Sequence, residues 1–263
     1  MSAARSLSAA ERHLRYLGVT APRDIDLEVV ARARGASVTY RPLQGAEAHI
    51  QGQGDEAVIT VNSLSLPERQ RYSLAHELGH WHHHRGQRLF CRGDEASVWK
   101  KGKTDPERSA DAYAADLLMP SFLFVPAAEA CQAADINAVR ALGKPFGTSL
   151  TATAIRLIER GPFPALVAWF DKSGMFGWAR RNHRLLAPEV RLLPRLHQDT
   201  AAFDVLYGGR ATGKASATRA DAWVLGSWGR LGAFQVTESS ALVNEGALIV
   251  LWFHDSRLLE TLA

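Results

Sequence analysis

Apolar positions near the start of the chain recur with a helical period and then switch to the two-residue period of strands. Residues 8–18 read as a first helix, with Ser8 as cap and Gly18 as stop, and residues 26–34 read as a second, closed by Gly35. Three short strand-like runs follow at 37–40, 46–51 and 57–61, separated by turn residues. The longest helical pattern runs from Ser65 to Gly86. Ser65 is placed as its N-cap, with Pro67 and Glu68 in the first turn as a Ser-x-x-Glu capping box, and Gly86 supplies the stop. Leu74, Leu78 and Trp81 share the face that anchors this helix in a core, while Tyr72, His76 and His80 share another.

A further helix is expected over 104–120, with Asp105 as N-cap, Pro106 at the first helical position and Pro120 closing it. Its small apolar residues Ala110, Ala114, Leu117 and Leu118 form a face, read as opposite to the acidic one, that allows close packing against the preceding long helix. Residues 121–133 and 135–160 also read as helical. Within them, 138–161 has the layout of a helix-turn-helix unit: a short helix, a turn around 143–147, and a second helix capped by Ser149 and stopped by Gly161. Beyond Pro162, strand-like runs at 165–170, 175–179, 222–225, 233–236 and 247–253 alternate with glycine-rich and polar turns, and a helix over 255–262 closes the chain. The pattern predicts an α+β protein in three parts: 1–130 with helices and a small sheet, a helical segment at 131–161, and a mainly β region at 162–263.

Composition adds little that is specific. The chain has 263 residues, 46% hydrophobic and 22% charged, which is ordinary for a globular protein. A net charge of +4 and a pI near 9.3 are compatible with an acidic protein partner or with weak nucleic-acid contact and demand neither. Two cysteines, Cys91 and Cys131, with no Cys-x-x-Cys pair, fit a reducing compartment. No apolar signal segment or membrane-length run is present, so a cytoplasmic location without membrane contact is expected. The stretch 82–103 reads as charged and irregular. His82, His83 and His84 are taken as the solvated end of the long helix, and Lys100, Lys101 and Lys103 as a solvated loop able to hold an acidic segment.

The chemistry concentrates in His76, Glu77 and His80, a His-Glu-x-x-His pattern. Residues four apart on a helix differ by about 40° in azimuth and about 6 Å in rise, so both imidazoles can reach one metal ion. A carboxylate one residue past the first histidine flanks the metal, where it can take a proton from water. Zinc in such a site needs a third protein ligand. Glu107 opens the next helix, where an acidic side chain either complements the helix dipole or provides that ligand. Asp111, one turn later on the same face, is placed to accept a hydrogen bond from a ligand histidine.

The runs PERQRYSLAHELGHWHHH and ERSADAYAADLLMP together resemble the ImmA/IrrE family of zinc metallopeptidases. The matching positions are Arg71 to His80, then Glu107, Ala110, Asp111, Tyr113, Ala114 and Leu117 to Pro120. Asp111 stands where the family usually has Asn, and Tyr72 and Tyr113 where it usually has Phe. The resemblance implies that His76, His80 and Glu107 bind the metal and that Glu77 is the general base. Whether Asp111 supports a histidine or competes as a ligand, spacing leaves open. Two helices, a small sheet and then the metal helix is the order of a zincin-like domain.

Family members cleave helix-turn-helix transcriptional repressors, so the resemblance implies a zinc-dependent, site-specific endopeptidase acting on a repressor of stress-response or mobile-element genes. Manganese could replace zinc in vivo. The competing reading is a partner- or DNA-binding regulator with a structural metal. Against it, structural sites usually have four protein ligands. The helix after Ser149 also begins Leu150, Thr151, Ala152, Thr153 rather than with base-reading Arg, Lys, Asn or Gln, which argues against DNA binding. Oxyanion donors are sought among Tyr72, Tyr113 and His82 to His84, without a choice between them. The substrate's identity, its activating signal and the oligomeric state leave no mark in the sequence.

Overall fold

The computed structural model describes residues 6–85, 89–92, 105–185, 191–225 and 233–261. The chain divides into two compact units, Met1–Phe124 with Gly143–Ser149, and Val125–Leu142 with Leu150–Ala263.

In the first unit, helix α1 (Ala9–Tyr16) starts at a reciprocal capping box between Ser8 and Glu11 and ends before Gly18, whose φ of +77° suits a residue without a side chain. Glu11 also accepts from the backbone N–H of Ser121 at 2.6 Å, fixing the start of a later helix. Helix α2 (Leu27–Ala33) is capped by Asp26. Strands β1 (Ala36–Arg41), β2 (Ala48–Gln53) and β3 (Glu56–Asn62) lie within a residue or two of their predicted positions. They form a sheet of order β1-β3-β2-β4, parallel between β1 and β3 and otherwise antiparallel. Strand β4 (Leu89–Arg92) falls inside the stretch read as irregular. Four residues enclosed by charged sequence carry no usable alternation.

Helix α3 (Pro67–His84) packs its Leu74, Leu78 and Trp81 into the core as the pattern required, each at most 2% exposed. The Trp81 ring lies on β2 at Gly52, where an added Cβ would come within 2.6 Å of it, and its indole N–H donates to the carbonyl of Arg34 at 2.7 Å. The predicted start of this helix is corrected. Leu66, not Ser65, is the N-cap residue, and no side chain caps it. The Ser65 hydroxyl is engaged by the Glu47 carboxylate instead. Helix α4 (Asp105–Leu118) crosses α3 in close contact. Gly86, the lysine cluster at 100–103 and the Asp105 side chain lie outside the described residues.

Next come α5 (Ser121–Glu129), α6 (Ile136–Phe146) and α7 (Leu150–Arg160). The turn expected around 143–147 is shorter and later than predicted. Helix α6 continues through Gly143 and Pro145, and the chain reverses at Gly147, with φ +62°. Helix α7 exposes one of its eleven residues, Glu159.

The second unit is built on an antiparallel sheet of order β6-β5-β11-β10-β8, from β5 (Ala165–Phe170), β6 (Phe176–Arg181), β8 (Thr212–Arg219), β10 (Gln235–Val243) and β11 (Gly246–Trp252). Strands β7 (Arg191–Leu192) and β9 (Val224–Leu225) pair separately, and helices α8 (Ala201–Tyr207) and α9 (Ser256–Thr261) complete the unit. Phe170, Trp223, Val236, Ile249, Leu251 and Phe253 form its core. The run expected at 233–236 marks only the start of β10, which continues through Glu238, Ser239 and Ser240, where the apolar pattern breaks. All three are buried within it. Glu238 is accommodated by three donors: the backbone N–H of Ala202 at 3.0 Å, the Thr218 hydroxyl at 2.6 Å and the Trp223 indole at 2.9 Å. Among the described residues no helix is long and apolar enough to cross a membrane.

Candidate metal centre

The site stands where α3 crosses α4, and the crossing depends on two small residues. A Cβ added to Gly79 would lie 2.7 Å from the Ala110 Cα and 2.8 Å from its carbonyl oxygen, so the backbones meet as closely as glycine permits. Ala110 thus belongs to the interface that also carries Glu107 and Asp111, not to an opposite face. Positions i, i+3 and i+4 of a helix fall within one sector.

Close approach brings three donors together. His76 Nε2 and His80 Nε2 are 3.0 Å apart. Glu107 reaches His76 Nε2 through one oxygen at 3.3 Å and His80 Nε2 through the other at 3.2 Å. Both histidines are 3% exposed, and the Glu107 side chain is 20% exposed, which leaves the cluster one open side. These three residues form a group able to hold a metal ion. Asp111 stands behind it: His76 Nδ1 lies 3.1 Å from Asp111 Oδ1. A carboxylate only accepts, so Nδ1 carries the proton and Nε2 of a neutral imidazole presents its lone pair to the cluster.

Glu77 is buried beside these groups, 1% exposed, and its Oε2 has no hydrogen-bond partner among the described residues. Burial first, and then the Glu107 charge, push its carboxyl up to about 8. His80 is lowered to about 4, chiefly by burial and then by the neighbouring His76 and His84, so it is neutral at ordinary pH, as a ligand must be. Its Nδ1 is also buried without a partner among the described residues. A partnerless buried carboxylate oxygen beside three converging lone pairs fits a cation better than a self-contained polar cluster.

The other histidines separate by role. His82 is half-buried rather than solvated. Its Nδ1 accepts from the Arg34 guanidinium at 2.9 Å, and its ring stacks on Tyr113 with centroids 4.9 Å apart. Burial and then Arg34 lower it to about 4. His83 is exposed, and His84 stacks on His80 with centroids 6.1 Å apart. Tyr72 donates to Asp111 Oδ1 at 2.5 Å. Its phenol is raised above the usual range by burial and then by that carboxylate, so it stays protonated. His49 sits on the face of β2 opposite the buried Ala48 and Ile50. The bond between Tyr72 and Asp111 was missed in the sequence, although both residues had been placed on the chemical faces of their helices.

A family model described as the IrrE N-terminal-like domain of peptidase M78 matches residues 31–157, which hold the whole cluster. Those residues are an ImmA/IrrE-family domain. The radiation response metalloprotease IrrE of Deinococcus radiodurans is 26% identical to this chain over 173 residues, covering 64% of this chain and 52% of the relative, so the chain spans about half of that protein's length. Among solved structures, a Mycobacterium tuberculosis transcriptional regulator superposes with a TM-score of 0.59 at 15% identity, over 93% of this chain and 74% of that one, a likeness of fold alone. The ImmA/IrrE domain accounts for the zincin-like α+β arrangement of sheet, α3 and α4.

Proposed function

We propose that this protein is a zinc-dependent metalloendopeptidase that cleaves a helix-turn-helix transcriptional repressor at a specific site, relieving repression of stress-response or mobile-element genes. The observation that carries the reading is the convergence of His76, His80 and Glu107 within 3.3 Å of one another, beside a buried carboxylate with an unpaired oxygen. In a tetrahedral zinc site with bonds of about 2.0–2.1 Å, ligand atoms stand roughly 3.3 Å apart, and the donor separations of 3.0–3.3 Å fit that figure. Three protein donors leave a position for water and substrate, unlike a closed structural site.

When bound, the ion supplies Lewis-acid polarisation and lowers the pKa of water towards neutrality. The remaining work belongs to side chains. His76 and His80 present fixed lone pairs, and Glu107 adds one negative charge. Glu77 takes the proton of the attacking water on its carboxylate and returns it to the leaving amine. Its raised pKa falls back beside a cation, which keeps it able to accept a proton at neutral pH. The repressor as substrate and a cytoplasmic location follow from the family resemblance. Helix α7, with its single exposed residue, offers no open face for reading DNA.

The test incubates the purified chain, with zinc and separately with manganese, with the helix-turn-helix repressor encoded beside it, and maps fragments by mass spectrometry. Cleavage of one peptide bond, absent with Glu77→Gln, is expected. An intact repressor that co-elutes with both proteins would favour a partner-binding regulator whose metal is structural.

A further inference from the structure

Tyr72 and His76 are one turn apart on α3, Glu107 and Asp111 one turn apart on α4, and the Gly79–Ala110 contact brings the two pairs face to face. Asp111 Oδ1 therefore receives two donors, the Tyr72 hydroxyl at 2.5 Å and His76 Nδ1 at 3.1 Å. The Tyr72 ring stands over His76, with centroids 6.0 Å apart and planes tilted by 31°. A carboxylate oxygen has two in-plane lone pairs, and both are occupied here. Without the hydroxyl, the Asp111 carboxylate, which is 21% exposed, loses one of the two donors on Oδ1 and is held less firmly. It could then lose His76 or swing towards the cluster as a competing ligand.

We propose that Tyr72 is a positioning residue: its hydroxyl locks the Asp111 carboxylate onto His76 Nδ1, which fixes the metal-facing tautomer of His76 and holds Asp111 outside the ligand set. The metal-facing part of this inference rests on the proposed metal site, whereas the tautomer it requires exists in the metal-free protein as well. The geometry also removes Tyr72 from the candidates for oxyanion donor, because its single proton is committed to Asp111.

The test compares wild type, Tyr72→Phe, Asp111→Ala and the double variant, after circular dichroism melts establish that each is folded. Nitrogen-15 chemical shifts of the His76 ring in the metal-free proteins report the tautomer, and competition with a chromophoric chelator reports zinc affinity. Wild type should show a single Nδ1–H tautomer, and Tyr72→Phe a mixture. Loss of an outer partner of a ligand histidine typically costs about 10- to 100-fold in metal affinity, so Asp111→Ala should fall in that range and Tyr72→Phe should lose several-fold. The double variant should bind no more weakly than Asp111→Ala, because Tyr72 acts through Asp111. An unchanged His76 tautomer in Tyr72→Phe would overturn the inference whatever the zinc data show, as would additive losses in the double variant. Tautomer mixing in Tyr72→Phe in a protein that takes up no zinc would uphold the positioning role and defeat the metal-site reading instead.

Discussion

Glu77 is the residue on which the proposed chemistry turns, and its burial can be tested with and without metal. Substituting Gln keeps shape and removes the base, so Glu77→Gln should retain the ion while peptide cleavage falls by about 10²- to 10⁴-fold, the usual worth of a positioned proton acceptor; measured turnover against metal content checks this. Its raised pKa carries a second consequence. A carboxyl at about 8 when folded, against 4.5 otherwise, contributes stability that is fully present below pH 4.5 and is lost as the pH rises through 8. Melting temperatures of the metal-free proteins should therefore diverge in favour of Glu77→Gln between pH 5 and pH 9 (about the window these values set). His80 acts in the opposite sense. Held near 4, it withdraws stability as the pH falls from 6.5 through 4, equally in both proteins. At this scale the sequence was informative in part: His76 and His80 lie together as helical spacing requires, and Glu107 and Asp111, which spacing alone left open, stand beside them. What it withheld were partners that depend on tertiary contact. Arg34 turns His82 from a solvated residue into a packed acceptor, and Asp111 claims the Tyr72 hydroxyl.

Among the elements, the crossing of α3 over α4 sets the site, and Gly79 sets the crossing. Gly79→Ala would place a methyl 2.7 Å from the Ala110 Cα. The helices would have to separate, at about the 1–3 kcal/mol typical of overpacking, and the His76–Glu107 and His80–Glu107 distances would lengthen with them. A lower melting temperature together with weaker zinc binding is expected, whereas an exposed site such as Glu159→Ala on α7 should leave zinc binding unchanged. Several helices and strands were legible from the pattern alone: α1, α2, α3, β3 and β5 stand close to where it placed them. Local chemistry misled where a tertiary partner intervened. Ser65 had the form of a cap but is held by Glu47. Strand β8, TGKASATR, has no large apolar residue to announce it, and β10 hides behind the buried Glu238 that Thr218, Trp223 and Ala202 satisfy.

For the whole molecule, a metal bound only by the folded chain stabilises it by mass action, by about 2.7 kcal/mol at a hundredfold excess over the dissociation constant. Chelation should accordingly lower the melting temperature of wild type and of Glu77→Gln alike, and have little effect on His80→Ala, which differential scanning calorimetry would register. The mainly β character of the C-terminal region was visible in its turn-punctuated strands. The sheet order β6-β5-β11-β10-β8 was not, because pairing between strands far apart in sequence leaves no local signature. The most direct test of the account is metal stoichiometry by mass spectrometry after equilibrium dialysis against zinc, for wild type, Glu77→Gln, His80→Ala and Glu107→Ala. One zinc per chain in the first two, with loss from the last two, is the predicted result. Full occupancy in His80→Ala and Glu107→Ala would contradict the central claim that His76, His80 and Glu107 form the metal centre.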